Sequence, residues 1–369
     1  MASYLLSSHD GFGLGHVRRN VLIARSILDR NPSASVTIAT GVSADPGWLD
    51  DPRIHVVRVP PLLKALDGSY RNAGMSFEAA VARRSNMMSE LVERLRPQVI
   101  VVDRHPYGTG GELVPALTRA RELGSRLVLG LRDILDEPAA VAAELAGAGW
   151  HGVDEMFDDV LVYGESSLCN HEAEYGLPIT PTYCGWVTES APTLPVDDRL
   201  LVVTAGGGGD GERVFRLGVE LLEARRDWHG VIVSGPCSTR HRSTRTESLL
   251  GGRLTVGIES DGCAHLYARA GAVVQMAGYN STYEALAAGV CPILMPRRSP
   301  RREQAIRASR LAALGLAHVI DDDADADEAA WLLDRPLRLA PGALEAAGVR
   351  LDGAERAATH IEALARAGV

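Results

Sequence analysis

The chain has 369 residues, a net charge of −9, and 46% hydrophobic against 23% charged residues. That length exceeds one ordinary core and suits two domains; the balance is that of a globular chain, and the acidity argues against a nucleic-acid binder, which needs a basic face. Five scattered cysteines (Cys169, Cys184, Cys237, Cys263, Cys291) without a CxxC suggest neither a disulfide framework nor a zinc site, and with no signal-like start and no apolar run of roughly 20 residues a cytoplasmic protein without stable membrane insertion is expected.

In chain order, the apolar run at 4–8 leads into the glycine loop GFGLGH and then VRRNVLIARSILDR, whose apolar residues have helical spacing. Strand, loop and helix are expected. SVTIAT (35–40) and IHVVRV (54–59) read as strands, and SFEAAVARRSNMMSELVERL as a helix stopping before Pro97. Its Phe77, Met87 and Met88 form an apolar stripe, explained by core packing or, alternatively, by an acceptor pocket. QVIVVD ends on Asp103, GELVPALTRARELG is helical, and RLVLGL and DVLVYG (159–164) are strands. The proline-rich LPITPTYCGWVTESAPTLP reads as an irregular linker. It divides the chain into an N-terminal domain, 1–190, and a C-terminal domain, 191–369. The second alternating series runs through RLLVVTAGGGGDGERVFRLGVELLEA, GVIVSG, RLTVGI, AGAVVQM and CPILMP. Both series predict an α/β fold of two doubly wound parallel sheets. The acidic run at 321–328 reads as a solvated loop rather than a metal site. The final helix, GAERAATHIEALARAG, could pack back on either domain.

Three motifs carry chemistry. TAGGGGDGE lies between strand and helix, so the N–H groups around Gly206, Gly207 and Gly208 and the helix N-terminus suit a diphosphate; a tight turn alone would also explain it. Gly206, Gly208 and Gly211 satisfy GxGxxG, but the next strand ends in Ser234 and Gly235 rather than in a ribose-binding acid, and no Walker lysine follows. A helix is expected to begin at NSTYE, where Ser281 and Glu284 form a capping box; Glu284 could instead accept the hydroxyls of a ribose. RRSPRREQ reads as a basic loop closed by Glu303 and Gln304, an acid and an amide suited to sugar hydroxyls, or else as a solvated turn.

In that order, the segment 278–304 together with TAGGGG and VGI resembles the nucleotide-sugar half of GT-B glycosyltransferases. The likeness is to the family 28-like group that contains the bacterial lipid I N-acetylglucosaminyltransferase. The resemblance implies two Rossmann-like domains facing a cleft, acceptor-binding and donor-binding respectively. It further implies the Ile258 main chain at the base, Gly206 to Gly208 at the diphosphate with Ser281 helping at the phosphates, Gly278 and Asn280 within the same nucleotide and diphosphate site, Glu284 at the ribose, and Glu303 and Gln304 at the donor sugar. DGFGLGHVRRN resembles the first loop of the same superfamily, with Gly13 and Gly15 near acceptor and phosphates and His16 in place of a further glycine. A histidine is well suited to deprotonate a hydroxyl near neutral pH, and the resemblance pairs His16 with Asp103, which would set its tautomer. A helix-capping or exposed histidine is the plain alternative. His9, Asp10 and Asp133, beside Arg132, are rivals for the base or acceptor role; Asp133 could equally be a salt-bridged structural residue. The chain lacks the basic and aromatic cluster of a peripheral membrane enzyme.

The expectation is an inverting glycosyltransferase with no cofactor and no metal. It would move a sugar from a nucleoside diphosphate sugar, UDP favoured by the resemblance, to a small-molecule or natural-product acceptor, with Arg301 or Arg302 assisting the departing diphosphate. A GT-B-type nucleotide-sugar epimerase and a non-catalytic nucleotide-sugar-binding protein are the alternatives.

Overall fold

The structure, a computed structural model, describes residues 2–8, 14–44, 46–64, 70–206, 211–234, 247–258, 262–299, 301–321, 324 and 326–367. The chain divides into two compact units, one made of Met1–Asp45, Leu49–Val187 and Asp352–Val369, the other of Pro46–Trp48 and Thr188–Leu351.

The first unit contains β1 (Ser3–Ser7), β2 (Ser35–Thr40), β3 (Ile54–Arg58), β4 (Leu63–Lys64), β5 (Tyr70–Arg71), β6 (Val99–Asp103), β7 (Arg126–Arg132), β8 (Asp159–Tyr163) and β9 (Thr182–Tyr183). Seven of these form one sheet in the order β3-β2-β1-β6-β7-β8-β9, parallel at every pairing; β4 and β5 form a small antiparallel ribbon. Central parallel strands are covered by helices on both faces and so carry unbroken apolar runs. Leu5 and Leu6 of β1 and Val99 to Val102 of β6 are buried accordingly. Helix α1 (Gly15–Arg30) buries Val17, Val21, Ile23, Ala24, Ile27 and Leu28, the stripe that a 3.6-residue period places against a sheet. The C-terminal helix (Gly353–Ala367) belongs to this unit and packs on α1, where Arg30 Nε meets Glu362 Oε2 at 2.9 Å.

The stretch expected to be an irregular linker is partly ordered within this unit. Thr182 and Tyr183 pair with β8, Trp186 is fully buried, and Val187 bridges to Asp352. Pro178 and Pro181 precede these residues, so neither removes a donor from the two-residue edge strand. The methionine stripe of α2 (Phe77–Leu95) is core at Met88. A buried ion pair ties α2 to the segment after β6: Arg84 Nε meets Glu112 Oε1 at 3.0 Å, Arg84 Nη1 donates to Pro60 O at 2.8 Å, and Glu112 Oε2 accepts from Gly110 N at 2.8 Å.

The second unit contains β10 (Asp197–Thr204), β11 (His229–Ser234), β12 (Glu247–Leu249), β13 (Leu254–Ile258), β14 (Ala270–Gln275), β15 (Ile293–Leu294) and β16 (His318–Val319), in the order β12-β13-β11-β10-β14-β15-β16. Only β12 runs antiparallel to its neighbour. Side chains alternate across the sheet: Leu201, Val203, Ala272 and Val274 enter a core with Leu217 and Leu221, while Leu200, Val202, Ala270 and Val273 join Tyr267, Ala285 and Val290 on the other face. In each sheet the order of the parallel strands reverses once, between β1 and β6 and between β10 and β14. At such a point the loops leaving neighbouring strands diverge and open a crevice at the C-terminal edge of the sheet.

Candidate functional site

At the first reversal, α1 starts at Gly15 and places His16 beside the end of β6. His16 Nδ1 lies 3.0 Å from Asp103 Oδ2, with the aspartate side chain fully buried and the imidazole a fifth exposed. A third residue joins them. Arg19 Nη2 donates to Asp103 Oδ1 at 3.2 Å and to Oδ2 at 2.9 Å, and it also lies 2.9 Å from His16 Nδ1. The Arg19 guanidinium sits 5.3 Å from the ring centroid of Tyr163, the last residue of β8, whose phenol burial holds well above its ordinary range. Directly after Asp103 the chain turns through Arg104 at φ 78°. That left-handed conformation costs a residue with a Cβ about 1–2 kcal/mol and is held by an ion pair to Glu144 at 2.7 Å.

Burial alone would raise the Asp103 carboxyl, but the Arg19 guanidinium and His16 imidazole outweigh it and bring it down to about 2. Its folded value is below the ordinary 3.8, so the carboxylate adds stability above about pH 4, and that stability is lost as pH falls toward 2. The expected size is on the order of 2 kcal/mol. Urea unfolding of the parent and Asp103→Asn between pH 5 and pH 2 should show the gap between them closing by about that amount.

Asp133, at the end of β7, is buried. Its carboxylate accepts from the Ile134 N–H at 2.8 Å and from the Trp186 indole at 3.3 Å. His9, Asp10 and Gly13 lie outside the described residues.

At the second reversal, Gly206 follows β10 at φ 67°; Gly207 and Gly208 are outside the described residues. Across from it, α9 (Tyr279–Ala287) begins after the cap residue Gly278. A Cβ on Gly206 would lie 4.0 Å from Ser281 Oγ, and one on Gly278 would lie 3.2 Å from it. The hydroxyl of Ser281 therefore stands near both strand ends. The expected capping box does not form. Gly278, not Ser281, caps the helix without a side-chain bond, because Ser281 is already in the first turn and its hydroxyl donates back to Gly278 O at 3.4 Å. Asn280 is half-buried beside it, and Glu284, one turn further along α9, is buried.

The N-terminus of α9 is held by a buried polar chain. Thr204 Oγ1 and Tyr267 Oη are 2.9 Å apart, Tyr267 Oη donates to Gln275 Oε1 at 3.5 Å, and Gln275 Nε2 donates to Ser281 O at 3.2 Å. It links the ends of β10 and β14 to the first turn of α9, and a helix N-terminus is a setting that suits an anion. From the other side, buried Arg307 donates to Ala277 O at 2.7 Å.

Glu303 and Gln304 do not end a loop; they open α10 (Glu303–Ala313) and are buried. Arg297 organises both. Its Nη2 meets Glu303 Oε1 at 3.1 Å, and its backbone N–H donates to Gln304 Oε1 at 3.0 Å. Among the described residues the amide nitrogen of Gln304 remains uncommitted, with two donors for a hydroxyl. Ile258 ends β13, its main chain paired with Ser234.

Arg19 and the Thr204, Tyr267 and Gln275 chain were not read from the sequence. The signals existed: an arginine three residues after a candidate base shares its helical face, and Gln275 is the polar last residue of an otherwise apolar strand.

No protein-family model and no curated protein matches the chain. Solved structures do. The chain is similar to the glycotransferase of kitacinnamycin at 17% identity and TM-score 0.65, over 99% of this chain and 97% of that one. It is similar to Acinetobacter baumannii MurG at 14% identity and TM-score 0.57, over 98% and 100%. It is likewise similar to Phytolacca americana UGT2, complexed with UDP-2fluoro-glucose and pterostilbene, at 15% identity and TM-score 0.57, over 100% and 95%. The chain therefore has the GT-B fold of these glycosyltransferases, with two Rossmann-like sheets, as the resemblance implied. Among the described residues no helix is long and apolar enough to cross a membrane.

Proposed function

We propose that the chain is an inverting, metal-independent glycosyltransferase that moves a sugar from a nucleoside diphosphate sugar to a hydroxyl of a small-molecule acceptor. The observation that carries this reading is the contact of His16 Nδ1 with buried Asp103 at the strand reversal of the first sheet. With Nδ1–H donating to Asp103, Nε2 holds the lone pair and takes the proton of the acceptor hydroxyl. The acceptor oxygen attacks the anomeric carbon from the face opposite the diphosphate. The bond from that carbon to the diphosphate oxygen breaks, and the nucleoside diphosphate leaves with the electron pair; His16 keeps the proton.

The second unit supplies the donor's partners in this reading: the α9 N-terminus, Gly206 and Ser281 for the diphosphate, Glu284 for the ribose, Gln304 and Glu303 for the sugar. Preorganised N–H groups stabilise charge growing on a leaving oxyanion without reorganising. Phytolacca americana UGT2 is complexed with UDP-2fluoro-glucose, which supports a UDP sugar as the first candidate.

A thermal-shift screen of UDP, dTDP, GDP, ADP and their glucose conjugates tests the donor side. At a ligand concentration of 100 Kd a native-state ligand adds roughly 2.7 kcal/mol; a clear rise in melting temperature with one nucleotide series is expected. Failure of every series to raise it would remove the donor reading. Proton NMR of the product then reports whether the anomeric configuration has inverted.

A further inference from the structure

His16, Arg19 and Asp103 approach one another pairwise at one carboxylate oxygen, and the three contacts cannot all be hydrogen bonds at once. Asp103 Oδ2 has His16 Nδ1 at 3.0 Å and Arg19 Nη2 at 2.9 Å, while Nη2 and Nδ1 are themselves 2.9 Å apart. A guanidinium only donates and an ionised carboxylate only accepts, so the ambiguity rests on Nδ1. If Nδ1 accepts from Arg19, the proton sits on Nε2 and the outward nitrogen is useless as a base. If Nδ1 donates to Asp103, Nε2 carries the lone pair. The two distances from Nδ1 are nearly equal, and the charges favour the second arrangement. Nη2 has both carboxylate oxygens within reach and a charged acceptor outcompetes a neutral one. The close Nη2 to Nδ1 approach is then a contact between two donors sharing Oδ2.

We propose that Arg19 is a positioning residue for His16: it offsets the charge of Asp103, so that the carboxylate sets the tautomer with the lone pair on Nε2 without trapping the ring as imidazolium. A lone buried carboxylate next to a histidine stabilises the protonated, catalytically idle ring. A permanently charged guanidinium at the same distance opposes that effect, because two unit charges of opposite sign equally far from the ring nearly cancel. Among the titratable and charged groups packed on the imidazole or its two partners are Arg19 from α1 itself, Asp103 from β6 and the Tyr163 phenol from β8. The Arg19 and Asp103 side chains are almost fully buried, so water does not screen them. The depressed Asp103 carboxyl agrees with a carboxylate held ionised by the Arg19 guanidinium beside it.

The effect on turnover rests on the glycosyltransferase reading; the effect on the histidine does not, and an NMR titration of the ring nitrogens of His16 in the parent, assigned with His16→Gln, measures it without substrate. In the parent, the neutral ring is expected to show the Nδ1–H tautomer; an Nε2–H ring would overturn the proposal. In Arg19→Met the His16 midpoint is expected to move to higher pH by about one unit or more; in Arg19→Lys, which keeps the charge, it should stay near the parent. An unchanged or lower midpoint in Arg19→Met would refute it. Should Arg19→Met not fold, Asp103→Asn and the double variant Arg19→Met/Asp103→Asn give the same comparison without a buried unpaired carboxylate: the double variant must titrate at higher pH than Asp103→Asn alone. The acid limb of kcat/KM should follow the ring. A ring that titrates as expected in a protein that binds no donor would uphold Arg19's role while removing the enzyme reading.

Discussion

Replacing His16 by alanine is expected to lower kcat by about 10²- to 10⁴-fold, the range that a positioned general base supplies, while donor binding stays as it was. The reason for the split lies in the layout. His16 belongs to the first unit, whereas Gly206, Ser281, Glu284, Glu303 and Gln304 all belong to the second. The substitution also leaves the Arg19 to Asp103 ion pair at 2.9 Å intact, so no buried charge is orphaned and the fold should survive. Steady-state rates with a saturating donor, alongside the thermal shift produced by that donor, give the two numbers needed. Full turnover by His16→Ala with an unaltered donor shift would transfer the base role to another group.

The largest effect on stability is expected from Glu112→Ala, at about 3–5 kcal/mol. The variant strips Arg84 of its buried counter-ion. The Arg84 side chain is only 6% exposed and that of Glu112 is fully enclosed; burial already pulls the Arg84 guanidinium downward, with Glu112 opposing it. Without Glu112, among the described residues one hydrogen bond, to Pro60 O, is left for a charge almost withdrawn from water, and the Gly110 N–H loses its acceptor as well. Urea unfolding measures the loss. The pair Arg84→Met/Glu112→Leu serves as the control: replacing both charges by apolar groups should recover most of the stability. A loss below 1 kcal/mol in Glu112→Ala would mean that Arg84 finds other partners or water.

The residues of the candidate site divide by how far chain-local physics reaches. His16 after a glycine loop, Asp103 at the end of an apolar strand and Gly206 at a strand-to-helix turn are legible because strand, turn and helix follow from periods of two and 3.6 residues and from glycine's tolerance of positive φ. The helix boundaries at Gly278 and Glu303 were less legible. Ser281 followed by Glu284 is a sound capping pattern, yet the end of β14 and the bond from Gln275 to Ser281 O start the helix earlier. Likewise, RRSPRREQ is locally a charged loop, but Arg297 folds back on Glu303 and Gln304 and lets them enter α10 buried. Each shift came from a partner that the local pattern does not contain.

By itself, then, the sequence determined the alternation of strands and helices, two parallel sheets, and the residue types available at their C-terminal edges, since these depend on local propensity and apolar periodicity. Only the tertiary structure decided which of those residues meet. It set Arg19 on the same carboxylate oxygen as His16, ran Thr204, Tyr267 and Gln275 into one buried chain behind α9, and returned the last helix to the first unit. Such contacts join residues up to hundreds of positions apart, and their geometry is set by strand order and helix packing, which no short window of sequence encodes.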